Sequence, residues 1–423
     1  MTSNLEEAIK GQTILKILFY IFPLVMLSRS GFVNIYVFIF IFYSIYFFYK
    51  NKLKINFFFL DYLIFSILLL LFLSTINNFE NLEIFFLFKS ISYIRFGLFY
   101  LFVRNLFYYN IVNFPKIIII TCISTVFLSF DIFIQHIFGQ DLFGHKPWHD
   151  RYAAIFDDEA IAGSYIQKFS FISISLILII NKLNFLKKIL ITLLINILGL
   201  GILMSTDRMP LIIFLTQIVI LIFLVKNLRL FYSINLIILL SLIFLLIQNN
   251  KIINKRYEFL GIINNLAINK KIEVEKSKNI NSVAKEFINS TEYPKIFYTG
   301  YYIWKINPIL GTGVKSFNLS CSQAAKTNNQ LLCAPHAHNL YLEILVNIGI
   351  IGIIILIIYI FNILKESKKI LFRENNSIYL YLFIIFIAEL LPFRSYGSIF
   401  TTVNGTMFWY LLALTSIIKF KKY

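Results

Sequence analysis

The feature that most constrains this chain is a series of apolar stretches, each about as long as a membrane-spanning helix. A helix needs about 20 mostly apolar residues to cross the hydrocarbon core of a bilayer. Such runs recur along the whole chain, at residues 13–28, 31–49, 56–75, 84–103, 116–138, 161–181, 187–204, 209–225, 229–248, 338–361, 377–393 and 403–418. The sequence therefore predicts an all-α integral membrane protein with about twelve transmembrane helices.

The composition favours lipid over water as the solvent of this chain. Hydrophobic residues make up 59% of its 423 residues and the mean hydropathy is +0.77, which is more apolar surface than one soluble core of this size hides. Lys and Arg outnumber Asp and Glu by 39 to 21. In a membrane protein such an excess indicates topology signals. We therefore expect membrane lipids, and no nucleic acid, among the partners.

The positions of the basic residues predict the orientation of the helices. With a cytoplasmic N-terminus, the cytoplasmic segments hold 18 Lys and Arg residues and the short loops of the other face hold 5. The five are Arg29, Lys146, Arg151, Arg208 and Arg394. Because basic residues concentrate on the cytoplasmic side, this asymmetry predicts an even number of spans with both termini in the cytoplasm. We expect a multi-pass membrane protein.

One long connection divides the chain into three parts. Residues 1–248 hold the first nine predicted helices, residues 249–337 form a large loop domain on the outer face, and residues 338–423 hold the last three helices. The first half of the loop (NNLAINKKIEVEKSKNINSVAKEF) is compatible with an amphipathic helix. The second half (YPKIFYTGYYIWKINPILGTGVKSF) is rich in aromatic residues and is expected to be ordered. A loop of this length is usually functional or disordered.

Two histidines, His336 and His338, stand at the mouth of the tenth apolar run, in CAPHAHNLYLEILVNIGIIG. His338 opens the predicted helix with Asn339 beside it. The positive end of the helix dipole favours a neutral ring there, and a neutral ring accepts a proton at physiological pH. A structural histidine at the membrane interface is the alternative interpretation.

A second histidine pair, in HKPWHD, is a weak candidate for a metal site. His145 and His149 have the i, i+4 spacing of zinc ligands on a helix, but Pro147 between them argues against a helical turn. The glutamate of an HExxH motif is missing. We therefore interpret the two as loop histidines and predict no metal ion.

Two arginines on the same predicted face are candidates for binding phosphate. Arg208 follows Asp207 in STDRMPLII, and Arg256 follows the ninth helix in NKRYEFLG. A guanidinium group binds phosphate oxygens in a bidentate manner, so the pair is suited to a lipid pyrophosphate. The alternative is that each arginine merely anchors a helix end at the lipid headgroups.

Charged residues inside or beside the apolar runs are expected to face a polar interior rather than lipid. They are Lys89, Arg95, Lys168, Asp61, Asp131, Glu343 and Glu389. The outer loop also holds two cysteines, Cys321 and Cys333, in a compartment that is oxidising. A disulfide between them is expected, with free thiols as the alternative.

The segment NPILGTGVKSFNLSC…CAPHAHNLYLEILVNIGIIG, residues 307–352, resembles the signature region of the O-antigen ligase and polymerase superfamily. RYAAIFDDEAIAGSYIQKF (residues 151–169) and LPFRSYGSIFTTVNG near the C-terminus are similar to two further family segments. Two positions depart from the pattern. Ala337 replaces a common proline, and Asp157 stands where glycine is usual.

The resemblance implies a fold similar to the class C glycosyltransferases in the bacterial inner membrane, with residues 249–337 as a periplasmic loop domain. It also implies an inverting glycosyl transfer at the periplasmic face, with neither metal nor cofactor. The donor would be a glycan on undecaprenyl pyrophosphate, and the acceptor of a ligase would be lipid A-core. By the same resemblance, His338 is the general base, and Arg208 and Arg256 neutralise the departing pyrophosphate. Supporting roles fall to His336, Asn339, Glu159 and Arg151.

Several functions remain open on the sequence alone. An O-antigen polymerase, which extends the lipid-linked glycan, uses the same donor, and so does a protein oligosaccharyltransferase. A polysaccharide transporter would also need many spans, but it is expected to show broken helices or polar groups near the bilayer midplane. A non-catalytic member of the same fold is a further alternative.

Overall fold

The structure is a computed structural model that describes residues 2–81, 84–179, 185–257, 292–373, 378–392, 394–395 and 397–420. These residues form α-helices and short 3₁₀ turns, and an isolated bridge between Trp148 and Arg151 is the one β-type pairing among them. The predicted amphipathic helix in the first half of the long loop lies outside the described residues.

Each of the twelve apolar runs contains an α-helix. The helices are α1 (Thr2–Tyr20), α2 (Phe22–Val25), α3 (Ser30–Lys50), α4 (Phe59–Asn77), α5 (Ile84–Ser92), α6 (Ile94–Tyr108), α7 (Phe114–Phe138), α8 (Ala162–Ile174), α9 (Phe185–Met204), α10 (Arg208–Leu224), α11 (Arg229–Asn249), α12 (Tyr293–Trp304), α13 (Phe317–Ala324), α14 (Leu340–Arg373), α15 (Ile378–Glu389) and α16 (Thr402–Ser416). Residues 251–257 are also helical. The second half of the long loop supplies α12 and α13.

The lengths and surfaces of these helices are those of a multi-pass membrane protein. Seven helical segments in the described ranges are long and apolar enough to cross a membrane, and α8, α10 and α15 are apolar but shorter. Large apolar side chains such as Phe42, Phe185 and Leu230 are exposed on the outside of the bundle, where lipid would cover them. The number of spans and their orientation stay predictions.

Loops that the sequence places on one face do meet at one end of the bundle. Hydrogen bonds join Arg29 to Asp157, Thr206 to Asp150, Asn78 to Gly311 and Asn34 to Thr402. The Cys321–Cys333 disulfide lies in a loop of the same end. We call it the disulfide end.

The predicted continuous span over residues 338–361 is wrong in one respect, because α14 is broken at Gly349. This residue has φ 68° and ψ −164°, which are not helical angles. The loop 307–314 enters the gap, and the N–H of Ile350 donates to the carbonyl oxygen of Pro308 at 2.9 Å. The inserted loop thereby satisfies backbone groups that a broken helix in an apolar environment would leave unpaired.

Glycine is required at this break for two reasons. A positive φ of this kind is strained for other residues, and a Cβ on Gly349 would lie 2.1 Å from the carbonyl oxygen of Ile309. A second bond, from the N–H of Thr312 to the carbonyl oxygen of Val346 at 2.7 Å, fixes the loop on the first half of α14. Gly349 lies within an apolar run of helical length, so the sequence alone does not predict that the helix is broken there.

Two basic residues that the sequence assigns to loops are in fact buried. Arg104 lies inside α6, which continues to Tyr108, and pairs with Asp61 at 2.8 Å. Arg394, counted among the loop charges, is 5% exposed. A buried carboxylate positions each arginine: Asp61 pairs with Arg104, and Glu389, at the end of α15, pairs with Arg394.

Candidate functional site

His338 lies in the turn that leads into α14 rather than in the helix itself. Its φ is 51°, in the left-handed region that few non-glycine residues adopt, and the helix begins at Leu340. The rings of His336 and His338 are 4.0 Å apart, and the ring of Tyr293 meets that of His338 edge-on at 5.8 Å. The structure thus brings the two predicted histidines together under an aromatic side chain of α12.

Asn339 is the residue that fixes this turn. Its Oδ1 accepts the N–H groups of Tyr341 at 3.0 Å and Leu342 at 3.2 Å, so it caps the N-terminus of α14. Its Nδ2 donates to the carbonyl oxygen of Pro392 at 2.6 Å. We call residues 336–339 the histidine turn. A supporting role for Asn339 has a geometric basis, since the residue joins this turn to the loop 390–401.

Burial sets the protonation of His338. It lowers the pKa of this half-buried imidazole from its ordinary value of 6.5, because a charged ring loses hydration there. The sequence attributes a neutral ring to the helix dipole, whereas burial is the cause in the structure. The ring is neutral at physiological pH and can accept a proton.

The disulfide Cys321–Cys333 braces the segment before the histidines. The two Cα atoms are 5.5 Å apart, and Cys321 is buried on α13. The Nδ2 of Asn318, on the same helix, donates to the carbonyl oxygen of Ala334 at 3.2 Å. The approach to the histidine turn is therefore held to α13 at two points.

A second cluster, of arginines, surrounds Asp207 at the same disulfide end. A guanidinium nitrogen of Arg151 lies 4.0 Å from the carboxylate of Asp207, which also accepts the N–H of Gly163 at 3.2 Å. Arg256 acts electrostatically on this carboxylate, and Arg208 acts on Arg256. The structure thus places Arg208 and Arg256 near each other, and Arg151, the supporting residue implied by the resemblance, lies in the same cluster.

The electrostatics of this arginine cluster favour an anion. Burial, and then the charges of Arg151 and Arg208, lower the pKa of Arg256, although Asp150 and Asp207 oppose the change. Burial also raises the pKa of Asp207 to about 6. Positive charge exceeds negative charge among these side chains, and a phosphate-bearing ligand would relieve the repulsion.

Arg256 is held in place by the loop 141–151. A guanidinium nitrogen donates to the carbonyl oxygen of His149, while the Nε is buried without a partner among the described residues. Lys255 pairs with Asp150 at 3.4 Å. His149, the second histidine of HKPWHD, therefore contacts Arg256 through its backbone carbonyl oxygen rather than its ring.

The remaining candidates of this loop region lie elsewhere. His145 pairs with Asp141 through its Nδ1 at 2.8 Å. Glu159 is exposed. Partial loss of hydration and the neighbouring Asp158 raise the pKa of its carboxyl group, while Arg29 lowers it. Asp157, which replaces the usual glycine of the resemblance, has φ 59°. No group of three or more metal-binding side chains occurs in the described part of the chain.

The histidine turn and the arginine cluster are not in direct contact through any bond described above, but a buried polar network lies between them. Arg394 donates to Glu389 at 2.9 Å and to Gln167 of α8 at 3.1 Å, and Lys168 lies 3.6 Å from Glu389. Helix α8 begins beside Asp207. The network therefore links α8, which begins next to the arginine cluster, to the loop 390–401. The carbonyl oxygen of Pro392 in this loop accepts the hydrogen bond from Asn339.

Residues 169–357 match the sequence profile described as O-antigen ligase, and this range contains His338, Arg208, Arg256 and the disulfide. The match is consistent with the O-antigen ligase superfamily. Family members are glycosyltransferase-like membrane enzymes that act on glycans. The match confirms the resemblance seen in residues 307–352. No curated protein matches the chain.

The matched region and the loop before α16 together line a polar cavity that the sequence does not reveal. Lys315, His336 and Glu343 line a space of about 100 Å³ together with Ser398. Burial, and then the charge of Lys89, lower the pKa of Lys315 to about 8, while Glu343 opposes the change. Glu343 was expected in a polar interior. Lys315 was missed, and its place in the glycine-rich GTGVKSF turn was the one available signal.

Proposed function

We propose that this protein is an O-antigen ligase, which transfers a glycan from undecaprenyl pyrophosphate to lipid A-core at the periplasmic face of the inner membrane. The observation that carries the proposal is the pairing of a neutral, half-buried His338 with an arginine cluster at the same end of a membrane bundle. His338, Arg208 and Arg256 lie in the region that matches the O-antigen ligase profile, and Arg151 precedes that region. The donor, the acceptor and the periplasmic orientation belong to the proposal.

The proposed reaction is a single displacement that inverts the anomeric centre. His338 takes the proton from an acceptor hydroxyl as the oxygen attacks the anomeric carbon, and the bond to undecaprenyl pyrophosphate breaks on the opposite face. Arg208, Arg256 and Arg151 neutralise the charge that develops on the pyrophosphate. Pyrophosphate is a good leaving group, so a positioned base and a cationic cluster suffice without a metal.

Polysaccharide transport is the second candidate, and the break in α14 is the observation that favours it. Broken helices are typical of transporters. In this chain the loop 307–314 fills the gap, and the histidine turn and the arginine cluster lie at one end of the bundle. We therefore rank transfer above transport.

The proposal is tested in a deletion strain by running its lipopolysaccharide on a gel beside its pool of lipid-linked glycan. A ligase defect gives bare lipid A-core together with long glycan still bound to undecaprenyl pyrophosphate. Lipid A-core with a single repeat unit would identify a polymerase instead. An unchanged lipopolysaccharide profile would contradict both and direct attention to a protein acceptor or to transport.

A further inference from the structure

The cavity lined by Lys315 and Glu343 has the polar equipment of a binding site. It lies beside the histidine turn, since His336 is part of its wall. Phe317 and Val346 supply an apolar side to the same wall. The space of about 100 Å³ is too small for a lipid chain and suits the edge of a polar ring.

One side chain in this wall has an unused hydrogen-bonding group. Asn347 is 2% exposed, and its Nδ2 donates to the carbonyl oxygen of Glu343 at 2.6 Å. Its Oδ1 has no partner among the described residues. Burying an unpaired amide oxygen is unfavourable, so a ligand that donates a hydrogen bond here would be favoured.

Lys315 and Glu343 present opposite charges to the same space. They interact electrostatically, but no direct ion pair between them is found in the described part of the chain. The carboxylate of Glu343 is held in place by the N–H of Ile399 at 3.2 Å. A group that both accepts from the ammonium and donates to the carboxylate fits between them, and a hydroxyl does both.

We propose that this cavity binds the hydroxyl-bearing edge of a sugar ring of the acceptor glycan, an inference that rests on the proposed function. Adjacent hydroxyls bond to Lys315, to Glu343 and to the Oδ1 of Asn347, and the C–H face of the ring packs on Phe317 and Val346. The bound ring lies next to His336, whose ring is 4.0 Å from that of His338. The attacking hydroxyl is thereby presented to the base.

The test measures binding of simple sugars by the purified full chain in lipid nanodiscs. The probes are the methyl glycosides of glucose, galactose, N-acetylglucosamine and N-acetylgalactosamine, followed by saturation-transfer NMR. We expect at least one to bind, and its Kd to rise about tenfold in Lys315→Ala and in Glu343→Gln. Lys326→Ala, which removes an exposed charge from the same loop region, is the matched control and leaves the Kd unchanged.

Two outcomes would overturn the proposal: none of the glycosides binds, or the Kd is the same in wild type, Lys315→Ala and Glu343→Gln. Glu343→Gln keeps an acceptor for the N–H of Ile399, and Lys315→Ala alters no bond within α14, so the two variants do not share one folding risk. Arg208→Ala separates this proposal from the proposed function. The Arg208→Ala variant should lose transfer and still bind the glycoside. If the wild-type chain binds a glycoside but its deletion leaves the lipopolysaccharide unchanged, the sugar site is supported and the ligase function is contradicted.

Discussion

The imidazole of His338 is the group whose loss should separate chemistry from folding. His338→Ala removes the proposed base but leaves the cap that Asn339 places on α14. We expect transfer to fall by at least about 100-fold, measured as glycan-bearing lipopolysaccharide in the complemented deletion strain. His145→Ala is the matched control, because that ring pairs only with Asp141 among the contacts described, and its transfer should be near wild type. Full activity of His338→Ala would remove the general-base role.

The pKa of the same ring predicts the pH dependence. Burial lowers the pKa of His338 below 6.5, so the ring gains a proton and stops acting as a base only at a pH lower than that value. Tyr293 and His336 are the titratable groups whose rings contact it. We expect kcat/KM to fall on the acid side with a midpoint under pH 6.5. A midpoint at pH 7 or above would contradict the buried neutral base.

For single residues, the sequence indicates which side chains are candidates but not the contacts that position them. The histidine pair and Arg208 are recognisable from their motifs. The left-handed φ of His338 and the partner of Arg394 are not, because the first depends on how α14 is capped and the second on a glutamine 227 residues away. Lys315 is found only when the loop is folded against α14.

Among the elements, α14 depends on one glycine more than on its apolar length. Gly349→Ala puts a Cβ 2.1 Å from the carbonyl oxygen of Ile309 and strains a positive φ. We expect a loss of stability of at least about 3 kcal/mol, measured as a lower thermal unfolding midpoint in detergent. Gly31→Ala, in α3, is the control, since a Cβ there meets nothing within 4 Å. Equal midpoints for the two variants would mean that the loop 307–314 does not occupy the break.

The contact between α8, α15 and the loop 390–401 depends on a buried ion pair. Arg394→Ala leaves Glu389, which is 2% exposed, without its closest cationic partner, and such a loss costs about 3–5 kcal/mol. Arg29→Ala removes a pair whose side chains are 74% and 42% exposed, and pairs of that kind contribute about 0–1 kcal/mol. Thermal unfolding of the two variants side by side checks the difference. A smaller effect for Arg394→Ala than for Arg29→Ala would show that the network does not hold the loop.

The helices themselves were largely predictable, since each apolar run holds one. Periodic hydrophobicity locates helices but not their interruptions. The pattern alone does not show that Tyr93 separates α5 from α6, or that a loop enters α14. Both depend on contacts with parts of the chain that are distant in sequence.

For the whole molecule, the charge asymmetry predicts an orientation that two reporters can check. Alkaline phosphatase becomes active only where its disulfides form, and green fluorescent protein placed after Tyr423 serves as the cytoplasmic reporter. We expect phosphatase inserted after Lys326 to be active, phosphatase fused after Lys188 to be inactive, and the C-terminal reporter to fluoresce. The reverse pattern would invert the topology and place the histidine turn in the cytoplasm.

The loop within α14 has a consequence for the order in which the protein is made. Residues 307–314 leave the ribosome before Gly349 does, so the segment that completes the helix is already synthesised when the second half of α14 follows. The helix cannot be released into lipid as a finished unit, because its open backbone groups must first meet that waiting segment. Assembly of this protein therefore includes a step in which the later half of α14 docks onto a segment of the chain that was synthesised earlier.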